Sequence, residues 1–272
     1  MKPCLLEIFI LIGLGLGLLV APTGCSATRH TATSASGNRP TTVKGSARFA
    51  TRTMSASDFC GVSASRGVGV IIGGTDKIVI KANDNVLEYV VAEVKSGVLG
   101  ITISDKVNLH NAEVTVRIPN NGKINSLRAS SAAEIRTESA LKASDMEIRL
   151  SSAATLDAAL KAEQCTIRLS SSSEMKAAVD FGQCTIALSS ASSARLAGRA
   201  DSVNADLSSA SELNAFELDA RVCEVEVSSG AEAEVYCSGE LTARASSGAS
   251  VEYKGDCSVD KRTSSGGSVR KR

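Results

Sequence analysis

The chain has 272 residues and a formal charge of +1, so it gives no basis for a nucleic-acid partner or any other strongly charged one. Its two histidines, His30 and His110, lie too far apart in sequence to suggest a histidine metal site or catalytic triad. Hydrophobic residues make up 43% but aromatics only 3%, with no Trp, which favours thin, regular layers of Ala, Val, Ile and Leu over a bulky globular centre.

Lys2 precedes an apolar run over residues 8–20. The run is too short to span a bilayer as a helix and fits a signal-peptide core. It ends at Ala21-Pro22-Thr23-Gly24-Cys25, which resembles a bacterial lipobox, with Pro22 where that pattern prefers an aliphatic residue. Residues 1–24 are therefore predicted to be a lipoprotein signal peptide, and Cys25 the lipidated N-terminus that attaches the chain to a membrane. Ordinary signal cleavage without lipid is the alternative. The expected location is the outer membrane of an exporting bacterium; no acidic cluster follows Cys25 to say which side it faces.

Residues 25–54 are rich in Ser, Thr, Ala and Gly and lack apolar periodicity, so they are predicted to be a flexible tether. The domain proper is expected over 55–272. Segments 68–72, 77–81, 87–95, 99–104 and 113–118 alternate or are β-branched. Turn signals separate them, among them Gly73-Gly74, Asn83-Asp84-Asn85 and Ser96-Gly97. Residues 55–125 are read as irregular β coils capping the N-terminal end. The Asn83-Asp84-Asn85 run lacks the further carboxylates of a calcium loop, and no metal or other cofactor is expected.

From 126 to 272 a Ser-Ser pair recurs, beginning at Ser130, Ser151, Ser170, Ser189, Ser208, Ser228, Ser246 and Ser264. The intervals are 21, 19, 19, 19, 20, 18 and 18 residues. One, three and five positions before each pair the side chains are mostly apolar, as in Cys165, Ile167 and Leu169, with polar residues between them. That period-two alternation marks a strand with one buried face. A strand pair this short cannot bury its apolar side alone, whereas parallel stacking at about 4.8 Å turns the inward positions into continuous ladders. The predicted fold is all-β: a parallel β-solenoid of about 19 residues per coil. The second serine of each pair (Ser131, Ser152, Ser171, Ser190, Ser209, Ser229, Ser247 and Ser265) is expected to point inward at the corner as a structural ladder. No base stands near to make these serines nucleophiles, and Ser173-Glu174-Met175-Lys176 matches a Ser-x-x-Lys pattern only through the repeat. No catalytic residue is assigned.

The stretch from 59 to about 272 resembles a bacterial domain family described as a putative autotransporter adhesin, head GIN domain. Matching residues include Val68-Gly69-Val70-Ile71-Ile72, Ile78-Val79-Ile80-Lys81-Ala82-Asn83, Val94-Lys95-Ser96-Gly97-Val98-Leu99-Gly100-Ile101 and Val114-Thr115-Val116-Arg117-Ile118-Pro119, followed by the serine-rich repeat. The resemblance implies an exported β-helical domain, often lipid-anchored, with no catalytic residues to carry over.

Cys4 is removed with the signal and Cys25 is lipidated, leaving Cys60, Cys165, Cys184, Cys223, Cys237 and Cys257; in the shared column, Cys165, Cys184 and Cys223 are read as small buried hydrophobes, the alternative being a strained Cys165–Cys184 bridge. Cys237 and Cys257, near the ends of successive coils, are the candidates for a disulfide. Lys261, Arg262, Arg270, Lys271 and Arg272 crowd the last coil and are read as protection of an open sheet edge; membrane or phosphate binding by this tail is the sharper alternative. The expected function is a non-enzymatic, adhesin-like or structural protein of the cell envelope, presenting solenoid faces to a protein or glycan. The alternative is a polysaccharide lyase or hydrolase, for which Asp206, Glu224, Glu226, Glu232 and Glu234 are the clustered carboxylates.

Overall fold

The structure, a computed structural model, describes residues 39–56 and 58–272. The signal segment, Cys25 and His30 lie outside the described residues. The first strands are β1 (Thr41–Lys44), β2 (Phe49–Met54), β3 (Gly61–Ser65), β4 (Gly69–Ile72), β5 (Ile78–Asn83), β6 (Val90–Lys95), β7 (Val98–Ile103), β8 (Val107–His110) and β9 (Val114–Ile118). The repeats follow as β10 (Ser126–Ser130), β11 (Glu134–Thr137), β12 (Leu141–Leu150), β13 (Thr155–Leu169), β14 (Glu174–Leu188) and β15 (Ser193–Leu207). The series closes with β16 (Glu212–Val227), β17 (Glu232–Ala245), β18 (Ser250–Lys254), β19 (Ser258–Thr263) and β20 (Ser268–Lys271). A single 3-10 turn, Leu87–Tyr89, precedes β6.

Strands β10 to β20 pair in parallel with their equivalents one repeat away, giving a β-solenoid of about eight coils. The alternating pattern is carried through: β13 buries Leu156, Ala158, Leu160, Ala162, Cys165, Ile167 and Leu169. Each Leu or Ile in such a set contributes about 1.5–3 kcal/mol by leaving water. The alanines keep the layers thin enough for backbones on opposite sides to approach. At the second corner Gly198 also lies tight against the preceding coil, where a Cβ would be 2.0 Å from the carbonyl oxygen of its register partner Val179.

The serine corner differs from expectation. The second serines, from Ser131 to Ser265, have φ between 47° and 56° and lie exposed on the outside. The residue after each also has positive φ, as at Ala132, Ala153, Ser172, Ala191, Ala210, Gly230, Gly248 and Gly266. Two consecutive residues with φ above zero make a type I′ turn, closed by a bond such as Ala133 N–H to Ser130 O at 3.2 Å. A two-residue tip keeps both of its side chains outside, so inward alternation resumes only at the fourth position. There Ala133, Ala154, Ser173, Ser192, Ser211, Ala231 and Ala249 are buried. The inward serine ladder therefore has three rungs. The Ser173, Ser192 and Ser211 hydroxyls donate to the carbonyls of Leu150, Leu169 and Leu188 at 3.1–3.2 Å. Neighbouring turns are tied through their backbones, Ala132 N–H to Ser152 O at 2.9 Å and so on down to Gly248 N–H and Ser265 O.

Changes in coil length fall between one serine turn and the next strand's approach to the following turn. Arg136 pairs with Asp157 but Leu141 with Leu160, so the surplus of the longest repeat lies between residues 136 and 141. Register shifts at Arg195/Ala197 and Ala215/Asp219 take up the later changes. The strand entering each turn stays in register throughout, as in Leu150, Leu169, Leu188 and Leu207.

The N-terminal strands cap the solenoid, but not in chain order. The β3–β4 coil lies between the β10–β11 coil on one side and β7 and β9 on the other. Antiparallel pairings of β6 with β7 and of β2 with β5 then end the stack. The tether expected up to residue 54 is shorter than that, because residues 41–44 and 49–54 are strands. The turn Asn83-Asp84-Asn85 explains why. Asn83 donates to Ser46 O at 2.7 Å, Asp84 pairs with Arg48 at 3.1 Å, and Asn85 donates to Lys44 O at 2.8 Å. These three side chains clamp a polar segment that has no apolar periodicity of its own.

Cys165, Cys184, Cys223, Cys237 and Cys257 are free thiols, so the expected Cys237–Cys257 bridge is not formed. The Cys237 thiol instead donates to the Glu240 carbonyl at 3.1 Å. The hydrogen bond with Cys165, together with burial, pushes the Cys184 thiol well above its ordinary pKa. Burial, with Cys237 alongside, also raises the Cys223 and Cys257 thiols.

Candidate binding face

The strands entering the serine turn carry their outward side chains in two columns. In one, Ser63, Arg128, Arg149, Arg168, Ala187, Asp206, Glu226, Arg244 and Arg262 stand in register, one per coil. Beside it run the first serines of the pairs. The projecting type I′ turn forms the far wall, so the two columns floor a groove parallel to the stacking axis. From Ser63 to Asp206 the groove has a volume of about 640 Å³. It continues past Asp206 as a smaller stretch of about 340 Å³ that reaches Arg262.

The chemistry changes along the groove. Glu147 sits between two guanidiniums, with Arg128 at 3.0 Å and Arg149 at 2.5 Å. Burial pushes its carboxyl up, but the hydrogen bonds from Arg149 and Arg128 outweigh that and hold it below the ordinary carboxylate value. Two cations thus share one carboxylate. Arg168, one coil on, is exposed and has no acidic partner among the described residues. The Arg128 Nε atom is buried and has no hydrogen-bond acceptor among them. The hydroxyls of Ser130, Ser151, Ser170, Ser189 and Ser208 are likewise unpartnered there and face the groove. Beyond Asp206 the charges are balanced: Arg244 bridges Glu224 at 3.1 Å and Glu226 at 2.5 Å.

The candidate carboxylates do not form one site. Glu224 and Glu226 share Arg244, whereas Glu232 and Glu234 follow the turn on the next side of the coil. Glu234 is held by Arg272 at 3.1 Å and by Asn214 at 2.7 Å. Ser173 of the Ser-x-x-Lys pattern is buried at the corner and bonded to backbone, while Lys176 is exposed. The basic tail is partly spoken for: Arg272 pairs with Glu234 and Glu252 and lies over the Phe216 ring, which Lys254 also covers at 4.1 Å. A second depression, of about 730 Å³, lies at the other corner of the coils. There Asp180 is clamped between Arg199 at 2.7 Å and Lys161 at 2.6 Å. The hydrogen bonds from Arg199 and Lys161 hold its carboxyl far below the usual range, and Glu163, Asp201 and Asp219 with Asp180 balance Lys142, Lys161, Arg199 and Arg221 around this depression. No helix among the described residues is long and apolar enough to cross a membrane.

The groove was not anticipated from sequence, although its signal was present. Both columns stand side by side in the repeat frame, but which way the first serine faces depends on the turn geometry.

Comparison with known proteins places the fold. A family model described as "Putative auto-transporter adhesin, head GIN domain" matches residues 58–257. A solved structure of a "putative adhesin" from Parabacteroides merdae ATCC 43184 superposes with a TM-score of 0.77 at 17% identity, covering 85% of this chain and 99% of that one. A "putative lipid binding protein" from Parabacteroides distasonis ATCC 8503 gives 0.78 at 19% identity, over 85% and 99% of the two chains. A "putative adhesin" from the same strain gives 0.77 at 19%, over 85% and 100%. At these identities the likeness shows the fold alone. No curated protein sequence matches the chain.

Proposed function

The chain belongs to the family of putative auto-transporter adhesins with a head GIN domain, and from that premise we propose that it is a non-catalytic binding protein of the bacterial cell envelope, held to a membrane through lipid on Cys25. The family and structural neighbours are described as adhesins or binding proteins, which supports an exported, envelope-facing role. The observation that carries the reading is the groove along the serine turns. Its hydroxyls and the Arg168 guanidinium repeat along one rigid face without partners of their own. Such an array can grip an extended molecule at many points, each weakly. Catalysis by paired carboxylates is poorly served, because Glu224 and Glu226 are both tied to one arginine.

Two measurements test this. The full chain is expected to bind isolated envelope material saturably, without releasing new reducing ends from its polysaccharide. Turnover of a polysaccharide that Glu226→Gln abolishes would overturn the non-catalytic reading. Metabolic labelling with palmitate is expected to mark the wild-type chain and not Cys25→Ala; equal labelling of both would remove the anchor.

A further inference from the structure

We propose that the basic half of the groove, from Arg128 to Arg168, binds a linear polysaccharide bearing carboxylates, laid along the solenoid axis. The inference rests on the binding-protein reading above and names the ligand class of the same face.

Shape comes first. The groove floor crosses six successive strands, from Ser63 to Asp206, or roughly 24 Å at the spacing of parallel strands. It is open along its length, which suits an extended polymer better than a compact small molecule. Its chemistry repeats with the same period, one serine hydroxyl per coil. Each hydroxyl is both donor and acceptor, so it can meet sugar hydroxyls in either sense.

Charge then selects among polymers. Arg128 and Arg149 share Glu147 between them, and Arg168 has no acid at all. Arg128, Arg149 and Arg168 set against Glu147 therefore leave this stretch of the groove with an excess of two positive charges. Guanidinium forks pair with carboxylates in a planar, bidentate fashion that an ammonium cannot reproduce. Ala187 leaves a gap below Arg168, and Asp206 then reverses the sign, which sets where an acidic chain must stop.

The other macromolecules fit less well. Neither Phe, Tyr nor Met lines this groove, whereas protein interfaces concentrate their energy in buried aromatic anchors and single-stranded nucleic acids need stacking platforms. With no aromatic platform the grip is polar throughout. Binding is therefore expected to be weak per coil, additive along the polymer and sensitive to salt.

The test is calorimetric titration of the full chain with polygalacturonate, with its methyl ester, and with single-stranded oligothymidylate. Polygalacturonate is expected to bind, and the uncharged ester at least about ten-fold more weakly, as the loss of charge-assisted bonds implies. Arg168→Ala should weaken polygalacturonate by about ten-fold. Ala187→Asp, which places a new carboxylate beside Arg168, should weaken it similarly. Arg195→Ala, exposed on the strand leaving the turn, should leave it unchanged; thermal melts check that each variant folds. The proposal is overturned if polygalacturonate does not bind, if the ester binds equally, if Arg195→Ala loses as much as Arg168→Ala, or if oligothymidylate competes equally. A chain that binds envelope material but not polygalacturonate would sink this assignment and leave the binding reading standing. A chain that binds neither would sink both.

Discussion

Lys261 lies in register with Ala243, placing a charge in the column that Ile148, Ile167, Ile186, Ala205 and Val225 fill with apolar side chains in earlier coils. It belongs to β19, which pairs with β17 on one side only. Lys261 is exposed at this open edge, and a further coil stacked on it would have to bury its charge within the apolar column, which makes such addition costly. Lys261→Val is expected to promote end-to-end association. Sedimentation equilibrium should show a mass that climbs with concentration for the variant more than for the wild type; identical behaviour would remove this role from Lys261.

The serine turns hold many non-glycine residues in the left-handed region, at a cost of about 1–2 kcal/mol each. Ala191 (φ 57°) occupies the same turn position as Gly230 and Gly248. Ala191→Gly is expected to stabilise the chain by about 1 kcal/mol, raising the thermal midpoint by about 2–4 °C. Gly248→Ala, with open space around its Cβ position, should lose about as much through backbone strain alone. Opposite signs in these two melts are the expected result.

The buried serine rungs look more important than they are. Ser192 donates to Leu169 O at 3.1 Å and accepts from Ser189 N–H at 3.2 Å. That same N–H also donates to Leu169 O at 3.1 Å. Both backbone groups keep a partner if the hydroxyl goes, and alanine already fills the equivalent place at Ala154 and Ala231. Ser192→Ala should therefore change the unfolding free energy by less than about 0.5 kcal/mol. Ser192→Leu should cost about 1–3 kcal/mol by overpacking the corner. Denaturant unfolding of the pair distinguishes shape from hydrogen bonding as the constraint.

Glu147 makes stability depend on pH in a stated direction. Its folded-state pKa lies below the ordinary 4.5, so the unfolded chain takes up the proton first as pH falls. Its contribution is present in full above that ordinary value and is lost as pH falls through the lowered one. Glu147→Gln should be less stable than wild type at neutral pH, with the gap closing in acid below about pH 4. A gap that widened on acidification would contradict the assigned ion pairs.

The solenoid was legible because its cause is local and repeated. Period-two columns such as Cys165, Ile167 and Leu169 fix which face is buried, and the spacing of the Ser-Ser pairs fixes how coils stack. The corner was misread because φ at Ser131 and Ala132 is set by the turn ladder, through bonds to the next coil, and not by side-chain pattern. The strands at 41–44 and 49–54 were hidden for a similar reason. Asn83, Asp84 and Asn85 hold that segment from some forty residues away. The absence of a Cys237–Cys257 bridge was equally out of reach, since neighbouring repeat positions do not say where a thiol turns. The groove needed both the columns, which sequence shows, and the projecting turn, which it does not.

The most direct measurement of the central claim is a titration of the full chain with polygalacturonate, followed through its arginine Nε–Hε signals in proton–nitrogen correlation spectra. Binding in the groove predicts shifts for Arg128, Arg149 and Arg168, while Arg195 and Arg221 on the other sides of the coils stay put. Shifts centred instead on Arg262, Arg270 and Arg272, or spread evenly over every arginine, would contradict it.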